Sequence, residues 1–370
     1  MSVHAIGCFL LALAPLAAFA GEAGAGADAI PVVVAVPERG EVRFERTPLE
    51  PRVPERFRLD GHTFAFETEF ARTSGPIRIY KVRFPSPVRT AIEANNTVHG
   101  EYYIPEGEGP FPGCVVLHIL GGEFPLSQMV ANSLARKRVA ALFIKMPYYG
   151  ERRANGSPRR MISRDPEETV EGMTQAVLDI RRAAAWLAAR PEVDPSKLGV
   201  TGISLGGIMS ALSAAAEPRF RKVAIYLGGG KLAEALWELE HEDAAEFRRR
   251  WRDAGGTRDS FLETVAPVDP ATYAHLLKDR DVLMVAARHD EIIPAKCTLA
   301  LWNAIGTQPE LVWLDAGHIS AALYLYGEME RLGRFFAPTE AGGHRALQEE
   351  GASGTSPAGR AGTLVRPRSP

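Results

Sequence analysis

The chain has 370 residues, of which 46% are hydrophobic and 24% are charged, and its formal net charge is -2 at pH 7. This apolar content is ample for one large core, so we expect one main domain with appendages, although the length would allow two domains. A nearly neutral chain gives no electrostatic reason to expect nucleic acid or an anionic membrane as a partner, and neither is predicted.

The first twenty residues have the pattern of an export signal. Residues 5–19 form an apolar run too short to span a bilayer comfortably, and Ala18-Phe19-Ala20 is a small-residue cleavage site ahead of Gly21. We therefore predict an exported protein, periplasmic or secreted, that loses residues 1–20 and keeps no membrane anchor after cleavage. Residues 21–55 are predicted to be an N-terminal extension.

The main domain is predicted to span residues 56–336 and to begin with antiparallel strands. Alternating apolar and polar residues from Phe64 to Phe70 and from Ile77 to Phe84 indicate two such strands. We expect them to extend a larger sheet at its edge, with a separate binding module as the alternative. A short apolar strand, Cys114–Leu117, then runs into the loop His118-Ile119-Leu120-Gly121-Gly122.

A long helix is predicted to follow the next strand and the loop that ends at Arg152. Asp165 is placed to cap this helix, with Pro166 at its first position and Glu168 at its third, which is a capping-box pattern. Apolar residues then recur at helical spacing from Val170 to Leu187. They predict a continuous apolar stripe that docks the helix on a sheet.

The centre of the chain has the pattern of a tight strand-to-helix turn. The strand Lys197–Thr201 runs into Gly202-Ile203-Ser204-Leu205-Gly206-Gly207, and a helix follows from Ile208 to Ala216. This is the form of a nucleophile elbow, in which a strained serine is exposed above a sheet. At Gly202 and Gly206 a Cβ is expected to collide with a neighbouring strand or helix. The alternative is an ordinary Gly-rich turn with a capping serine.

A further strand, Val223–Leu227, ends in Gly228-Gly229-Gly230, which lacks the dinucleotide-binding fingerprint. The segment from Lys231 to Val265 is longer than a connection between two parallel strands requires. We predict that it forms a small helical cap beside the site at Ser204. No His, Cys and carboxylate cluster has metal-ligand spacing, so neither a cofactor nor a metal is expected.

Two later strands each end in a candidate catalytic residue. Asp281–Ala287 is followed closely by Asp290, and Glu310–Leu314 is followed closely by His318. With Ser204 these residues supply a nucleophile, an acid and a base, in that chain order of nucleophile, acid and histidine. His318 would take the serine proton, and Asp290 would hold the histidine tautomer and stabilise the imidazolium.

Each partner of the serine also has a simpler interpretation. Asp290 would be only a cap for the helix that begins near Pro294, and His318 would be a structural histidine. Glu291 and Asp315 are the alternative acids. We place them behind Asp290, because Glu291 points a neighbouring way in the same loop and Asp315 precedes the histidine too closely.

On these residues the segment from Gly100 to Phe336 resembles a serine α/β-hydrolase of the dienelactone hydrolase, acetyl xylan esterase and prolyl-oligopeptidase-like branch. The stretch Phe143–Arg152 adds to the resemblance, since a strand ending in a Pro-Tyr-Gly-Arg-like loop recurs there. The resemblance implies a doubly wound, mostly parallel sheet in an α/β fold, with antiparallel N-terminal strands and a helical cap. Tyr148 or Tyr149 is a candidate pocket residue, with simple aromatic packing as the alternative.

The resemblance also implies an oxyanion hole. The loop that begins at His118 is similar to the His-Gly-rich loop after the third strand of hydrolases, but Ile119 stands where glycine is common. The amide of Leu205 is one expected donor, and either Ile119 or Leu120 supplies the second. His118 itself is expected to be a structural histidine that hydrogen-bonds its loop.

The implied activity is cleavage of a carboxylic ester, a small-molecule substrate, through an acyl-enzyme on Ser204, His318 and Asp290. Peptidase, lactonase and thioesterase activities on the same three residues are the alternatives, as is a non-catalytic binding protein that keeps the fold. After signal cleavage Cys114 and Cys297 are expected to be free buried thiols. Residues 337–370, rich in Gly, Ala, Ser, Pro and Arg, are predicted to be disordered.

Overall fold

The structure is a computed structural model, and it describes residues 37–122 and 124–337. The predicted export signal and residues 338–370 of the predicted disordered tail lie outside the described residues. Within those two ranges, no helix is both long enough and apolar enough to cross a bilayer.

The described residues contain one sheet of ten strands. The strands are β1 Glu38–Phe44, β2 His62–Thr73, β3 Ile77–Pro85, β4 Thr97–Pro105, β5 Phe111–Leu117, β6 Ala140–Ile144, β7 Val193–Ile203, β8 Phe220–Tyr226, β9 Asp281–Ala287 and β10 Glu310–Leu314. Their spatial order is β1-β2-β3-β4-β6-β5-β7-β8-β9-β10. Pairing is antiparallel from β1 to β4 and between β4 and β6, and every later pair is parallel.

The predicted fold class is therefore confirmed, because antiparallel N-terminal strands extend one edge of a parallel sheet. Strand β1 lies within the range predicted as an N-terminal extension and pairs with β2 along its whole length. Strands β5 and β6 are buried at every position, as expected of central strands that are covered on both faces.

Nine α-helices are present in the described part of the chain. They are α1 Phe124–Arg136, α2 Pro166–Ala188, α3 Leu205–Ala216, α4 Leu232–Glu238, α5 Glu242–Asp253, α6 Arg258–Val265, α7 Pro270–Tyr273, α8 Ala295–Ile305 and α9 Leu325–Phe336. Helices α1 and α9 pack on one face of the sheet, and α2, α3 and α8 pack on the other. Alternate side chains of β5 enter the two cores, with Cys114 and Val116 facing α1 and Val115 and Leu117 facing α3.

The strand order reverses at β5. The chain passes from β5 to β6 on one side, and later returns to form β7 on the other side of β5. The helices that follow β5 and β7 therefore leave toward opposite faces, which opens a crevice outside the carboxyl ends of these two strands. Ligands bind at such a switch point in doubly wound sheets.

At the start of α2 one part of the capping prediction is confirmed and the other is wrong. Asp165 caps the helix by accepting a hydrogen bond at Oδ1 from the Glu167 N–H at 2.9 Å. Glu168 does not complete a capping box, because its Oε2 accepts from Ser163 Oγ at 2.6 Å and from Arg159 at 3.2 Å. A neighbouring arginine and serine compete successfully for the carboxylate.

Helices α4, α5 and α6 occupy the segment predicted to be a helical cap. They are held together by a small aromatic core, in which the Phe261 ring centroid lies 5.6 Å from that of Trp237 and 5.0 Å from that of Phe247. An ion pair of 2.6 Å between Lys296 Nζ and Glu238 Oε2 joins α4 to the start of α8. The cap segment is thus anchored beside the loop that carries Asp290.

A buried ionic cluster ties the first described residues to the central helices. Arg181 of α2 is fully buried and lies 2.7 Å from Glu50 Oε2 and 3.3 Å from Glu217 Oε2. Its guanidinium also donates to the Phe57 carbonyl oxygen. Because an unpaired buried charge is very unfavourable, this cluster holds residues 50–57 firmly against the domain.

Candidate active site

Ser204 lies at the turn between β7 and α3, at the carboxyl edge of the sheet. Its backbone has a φ of 56° and a ψ of -116°, a conformation that side-chain-bearing residues rarely adopt. The turn is held by the Ser204 N–H, which donates to the Tyr226 carbonyl oxygen at 2.9 Å. Strain held in place by surrounding hydrogen bonds is typical of a functional position.

The two predicted glycine positions are confirmed by the close approach of backbone around this turn. A Cβ on Gly202 would lie 2.5 Å from the carbonyl carbon of Gly206, and a Cβ on Gly206 would lie 2.6 Å from the Leu117 carbonyl oxygen. The second contact brings β5 and its loop against the first turn of α3. The tight turn therefore places Ser204 next to the loop that follows β5.

The three predicted catalytic side chains are brought together in one hydrogen-bonded chain. His318 Nε2 lies 3.0 Å from Ser204 Oγ, and His318 Nδ1 lies 2.7 Å from Asp290 Oδ2. The Asp290 side chain is 2% exposed and that of His318 is 11% exposed. A nucleophile bonded to a base, which a buried carboxylate orients, can transfer an acyl group.

The alternative acids have other partners. Glu291 Oε2 accepts from the backbone N–H of His318 at 3.2 Å, and Asp315 Oδ1 lies 3.0 Å from His289 Nε2. Asp290 does not cap the helix that begins at Ala295, but it holds its own loop, because its Oδ1 accepts from two backbone N–H groups at residues 292 and 293, at 2.9 and 2.7 Å. Its two oxygens therefore serve separate purposes, one for the loop and one for His318.

His118 fixes the loop that follows β5. Its Nε2 accepts from the Met146 N–H at 3.0 Å, so its Nδ1 carries the proton and donates to the Ile119 carbonyl oxygen at 2.8 Å. That carbonyl also accepts from the Gly122 N–H at 3.1 Å. The expectation of a structural histidine that hydrogen-bonds its own loop is confirmed.

Burial lowers the pKa of His118 to about 4, from an ordinary value near 6.5. Acid therefore favours the unfolded state, which binds the proton more readily. The contribution of the neutral His118 to the free energy of unfolding is complete above about pH 6.5. It is lost as the pH falls to about 4, and the loss amounts to about 3 kcal/mol.

We expect the free energy of unfolding, measured in urea, to fall more between pH 7 and pH 4 in the wild-type protein than in His118→Gln, by about the amount given above. Glutamine cannot titrate but retains an acceptor for the Met146 N–H. Parallel losses in the two proteins would contradict the neutral, buried state of this histidine.

Tyr148 and Tyr149 lie beside this loop, and both make packing contacts. The Tyr148 side chain belongs to the core, with the Arg159 guanidinium 4.8 Å above its ring. The Tyr149 ring packs edge-on against the His118 ring, with 4.6 Å between centroids. Tyr149 therefore packs against the loop after β5 and Tyr148 packs in the core, which agrees with the packing alternative.

A buried polar network that the sequence analysis missed holds the tyrosine loop. Arg152 Nη2 lies 2.8 Å from Asp179 Oδ2, and both side chains are essentially unexposed. Arg152 also donates to the Asn95 carbonyl oxygen, and Asn95 Oδ1 accepts from the Tyr148 N–H at 2.9 Å. The sequence signal was an asparagine ahead of β4 and an aspartate on the buried stripe of α2, where a charge needs a partner.

Cys114 and Cys297 are buried and unpaired with each other, as predicted, and burial raises the pKa of the Cys297 thiol to about 11. No cluster of three or more His, Cys, Asp or Glu side chains suited to a metal occurs in residues 37–122 and 124–337.

Comparison with known proteins agrees with the fold. A family model described as alpha/beta hydrolase domain containing 18 matches residues 97–227, and one described as the prolyl oligopeptidase family matches residues 172–322. The second range includes Ser204, Asp290 and His318.

Two solved structures with a similar fold are acetyl xylan esterases. The enzyme from Paenibacillus sp. R4 has a TM-score of 0.57 and 19% identity, covering 73% of this chain and 88% of that chain. Acetyl xylan esterase 1 from Thermoanaerobacterium sp. JW/SL YS485 has a TM-score of 0.57 and 20% identity, covering 73% and 86%. Such low identity shows the fold and not the substrate.

An uncharacterised protein of Mycobacterium tuberculosis, found in two strains, is 27% identical over 179 residues. The match covers 47% of this chain and 40% of the relative, so the chain spans less than half the length of the curated relatives it matches. The sheet order, both family models and the two esterase folds agree, and the chain belongs to the α/β-hydrolase superfamily.

Proposed function

We propose that the protein is a serine hydrolase that cleaves carboxylic esters through an acyl-enzyme intermediate. The observation that carries the proposal is the hydrogen-bonded chain from Ser204 through His318 to Asp290, at 3.0 and 2.7 Å. The strained turn at Ser204 and the burial of Asp290 support it, because both are arrangements that activate a serine.

In the first half of the reaction His318 Nε2 takes the Ser204 hydroxyl proton while Oγ bonds to the ester carbonyl carbon. The bond from that carbon to the alcohol oxygen then breaks, and the proton passes from His318 to the departing alkoxide. In the second half a water molecule gives a proton to His318 and its oxygen attacks the acyl carbon. Ser204 Oγ leaves with the returned proton, and a carboxylic acid is released.

The proposed oxyanion hole consists of the amides of Leu205 and Leu120. Leu205 is the first residue of α3, so its N–H has no acceptor within the helix. The Ile119 carbonyl is directed to the His118 ring, so the Leu120 N–H on the other side of that planar trans peptide points away from the ring. The His118 carbonyl oxygen lies against Gly206, which turns the Ile119 N–H away from α3. Leu120 is therefore the better second donor.

Ester hydrolysis is preferred to peptide hydrolysis because the fold neighbours with the higher TM-scores include two esterases. The match to the prolyl oligopeptidase family keeps peptidase activity as the second candidate. Parallel assays with p-nitrophenyl butyrate and with prolyl and alanyl p-nitroanilides separate the two candidates. The proposal requires the ester to be turned over and the anilides to be poor substrates.

The direct test of the nucleophile is labelling of the intact protein with a fluorophosphonate. Ser204 Oγ would bond to phosphorus with loss of fluoride, and His318 would take the hydroxyl proton. We expect mass spectrometry of the digested protein to show one adduct, on the peptide that contains Ser204. Heat-denatured protein is the control and should remain unlabelled. Labelling elsewhere, or no labelling of active folded protein, would contradict the assignment.

A further inference from the structure

We propose that the ester carries an apolar chain, which binds in a groove between α1 and α9 beside the nucleophile turn. This inference rests on the proposed function, because it identifies the substrate class of the same site. The groove lies on the sheet face opposite α3, and its floor is formed by β5 and β7.

The groove adjoins the catalytic residues through two of its lining side chains. Ile203 directly precedes Ser204, and Ile119 belongs to the loop that would hold the oxyanion. A substituent of an ester whose carbonyl carbon lies at Ser204 Oγ would therefore meet these two side chains first. The further walls are Leu126 of α1 with Leu325 and Met329 of α9, all partly exposed.

Three of the polar residues along the groove are already engaged with protein partners. The Thr201 hydroxyl donates to the Ala224 carbonyl oxygen at 3.0 Å, and the Glu328 carboxylate accepts from Arg331 Nε at 3.0 Å. The Tyr226 hydroxyl donates to the Glu328 carbonyl oxygen at 3.2 Å. A substrate hydroxyl would compete with these bonds, whereas a hydrocarbon chain would not.

The free volume of the groove is about 30 Å³, which is enough for more than one water molecule. This space fits the end of a short chain. Met329 has a flexible, unbranched side chain that can move to admit a few more methylene groups. The end of a butyryl chain would fill this space once Met329 moves aside, and a longer chain would need a further enlargement of the groove.

The loops at the mouth also expose apolar side chains. Ile319 follows His318 and is 46% exposed, while Leu323, five residues after His318, is 86% exposed. Leu120 of the loop after β5 is 44% exposed, and Ile292 of the acid loop is 41% exposed. Exposed apolar surface around a reactive serine favours an apolar ligand, and it offers few partners to the hydroxyl groups of a sugar.

The test is a comparison of kcat/KM across esters with stepwise longer chains. Burial of one methylene contributes about 0.8 kcal/mol, or about fourfold in a binding or rate ratio. Acetyl to butyryl adds two methylenes, so we expect p-nitrophenyl butyrate to exceed p-nitrophenyl acetate by about 15-fold. Ethyl and hexyl acetates test whether the alcohol rather than the acyl group occupies the groove. The inference requires kcat/KM to rise with chain length in either the acyl series or the alcohol series.

Matched variants on α9 connect this preference to the groove. Met329→Trp would fill the groove and bring the butyrate-to-acetate ratio close to one, whereas Met329→Ala would enlarge it and move the preference toward hexanoate. Arg334→Trp is the control, because Arg334 is exposed on the same helix and does not line the groove. It should leave the ratio unchanged.

The outcomes separate this inference from the proposed function. Hydrolysis that depends on Ser204 but is fastest for acetate and for acetylated sugars would overturn the apolar-chain inference and leave the hydrolase intact. Chain-length ratios unaffected by both Met329 variants would also overturn it. The absence of Ser204-dependent hydrolysis with every ester would instead overturn the proposed function.

Discussion

Replacement of Ser204 by alanine is expected to lower kcat/KM for p-nitrophenyl butyrate by at least about 10⁴-fold. The variant keeps the turn, the histidine and the acid but has no oxygen to bond with the carbonyl carbon. Only substrate binding and the oxyanion donors remain, and these give a small fraction of the full rate. Steady-state rates measured at high enzyme concentration would quantify the residual activity.

Ser196→Ala is the matched control for that measurement. Ser196 lies in β7, the strand that ends at the nucleophile turn, and its exposed hydroxyl donates only to Asp194 Oδ1. Its loss should leave the rate within about twofold, because an exposed surface substitution changes little. A Ser204→Ala variant that kept the wild-type rate while folded, as judged by circular dichroism, would refute the serine mechanism.

Replacement of Asp290 by asparagine is expected to lower kcat by about 10³ to 10⁴-fold with little change in KM. The Asn Oδ1 can still accept the two backbone N–H groups that Asp290 Oδ1 holds, so the loop should persist. The amide nitrogen, however, would donate to His318 Nδ1 and place the histidine proton on Nε2. A protonated Nε2 cannot accept the Ser204 hydroxyl proton.

Glu291→Gln and Asp315→Asn provide the comparison, measured with the same substrate and at the same pH. Both changes remove a carboxylate near His318 without touching its ring nitrogens, since Glu291 meets only the backbone of that residue and Asp315 meets His289. Losses of more than about tenfold are not expected from either. If one of them proved more damaging than Asp290→Asn, the assignment of the acid would be wrong.

Much of the parallel sheet could be predicted from the sequence because its strands are short apolar runs. Asp281–Ala287 and Glu310–Leu314 were predicted with the bounds that the structure gives them. Asp281–Ala287 is buried beyond its first residue, as expected of a central parallel strand. Glu310–Leu314 is the edge strand and is only partly buried, but its sequence is also an apolar run followed by polar residues. The candidate site followed from the same pattern, because polar residues just past such strands gather at one edge.

The features that could not be predicted depend on contacts between distant residues. Arg152 and Asp179 are 27 positions apart and on different elements, and nothing in their local sequence pairs them. The second oxyanion donor was undecided between Ile119 and Leu120, since peptide orientation depends on the His118 ring and on the Met146 N–H. A hydrogen-bond partner supplied by a distant segment leaves no periodic signal in either segment.

The buried cluster around Arg181 determines where the chain can be shortened. A truncated protein that began at residue 56 would lose Glu50 and leave the Arg181 guanidinium with Glu217, which Arg219 also engages. It would also remove β1, including the fully buried Phe44 ring. Expression trials and limited proteolysis should therefore treat residues 38–61 as part of the enzyme body, and an affinity tag or a cleavage site belongs ahead of β1.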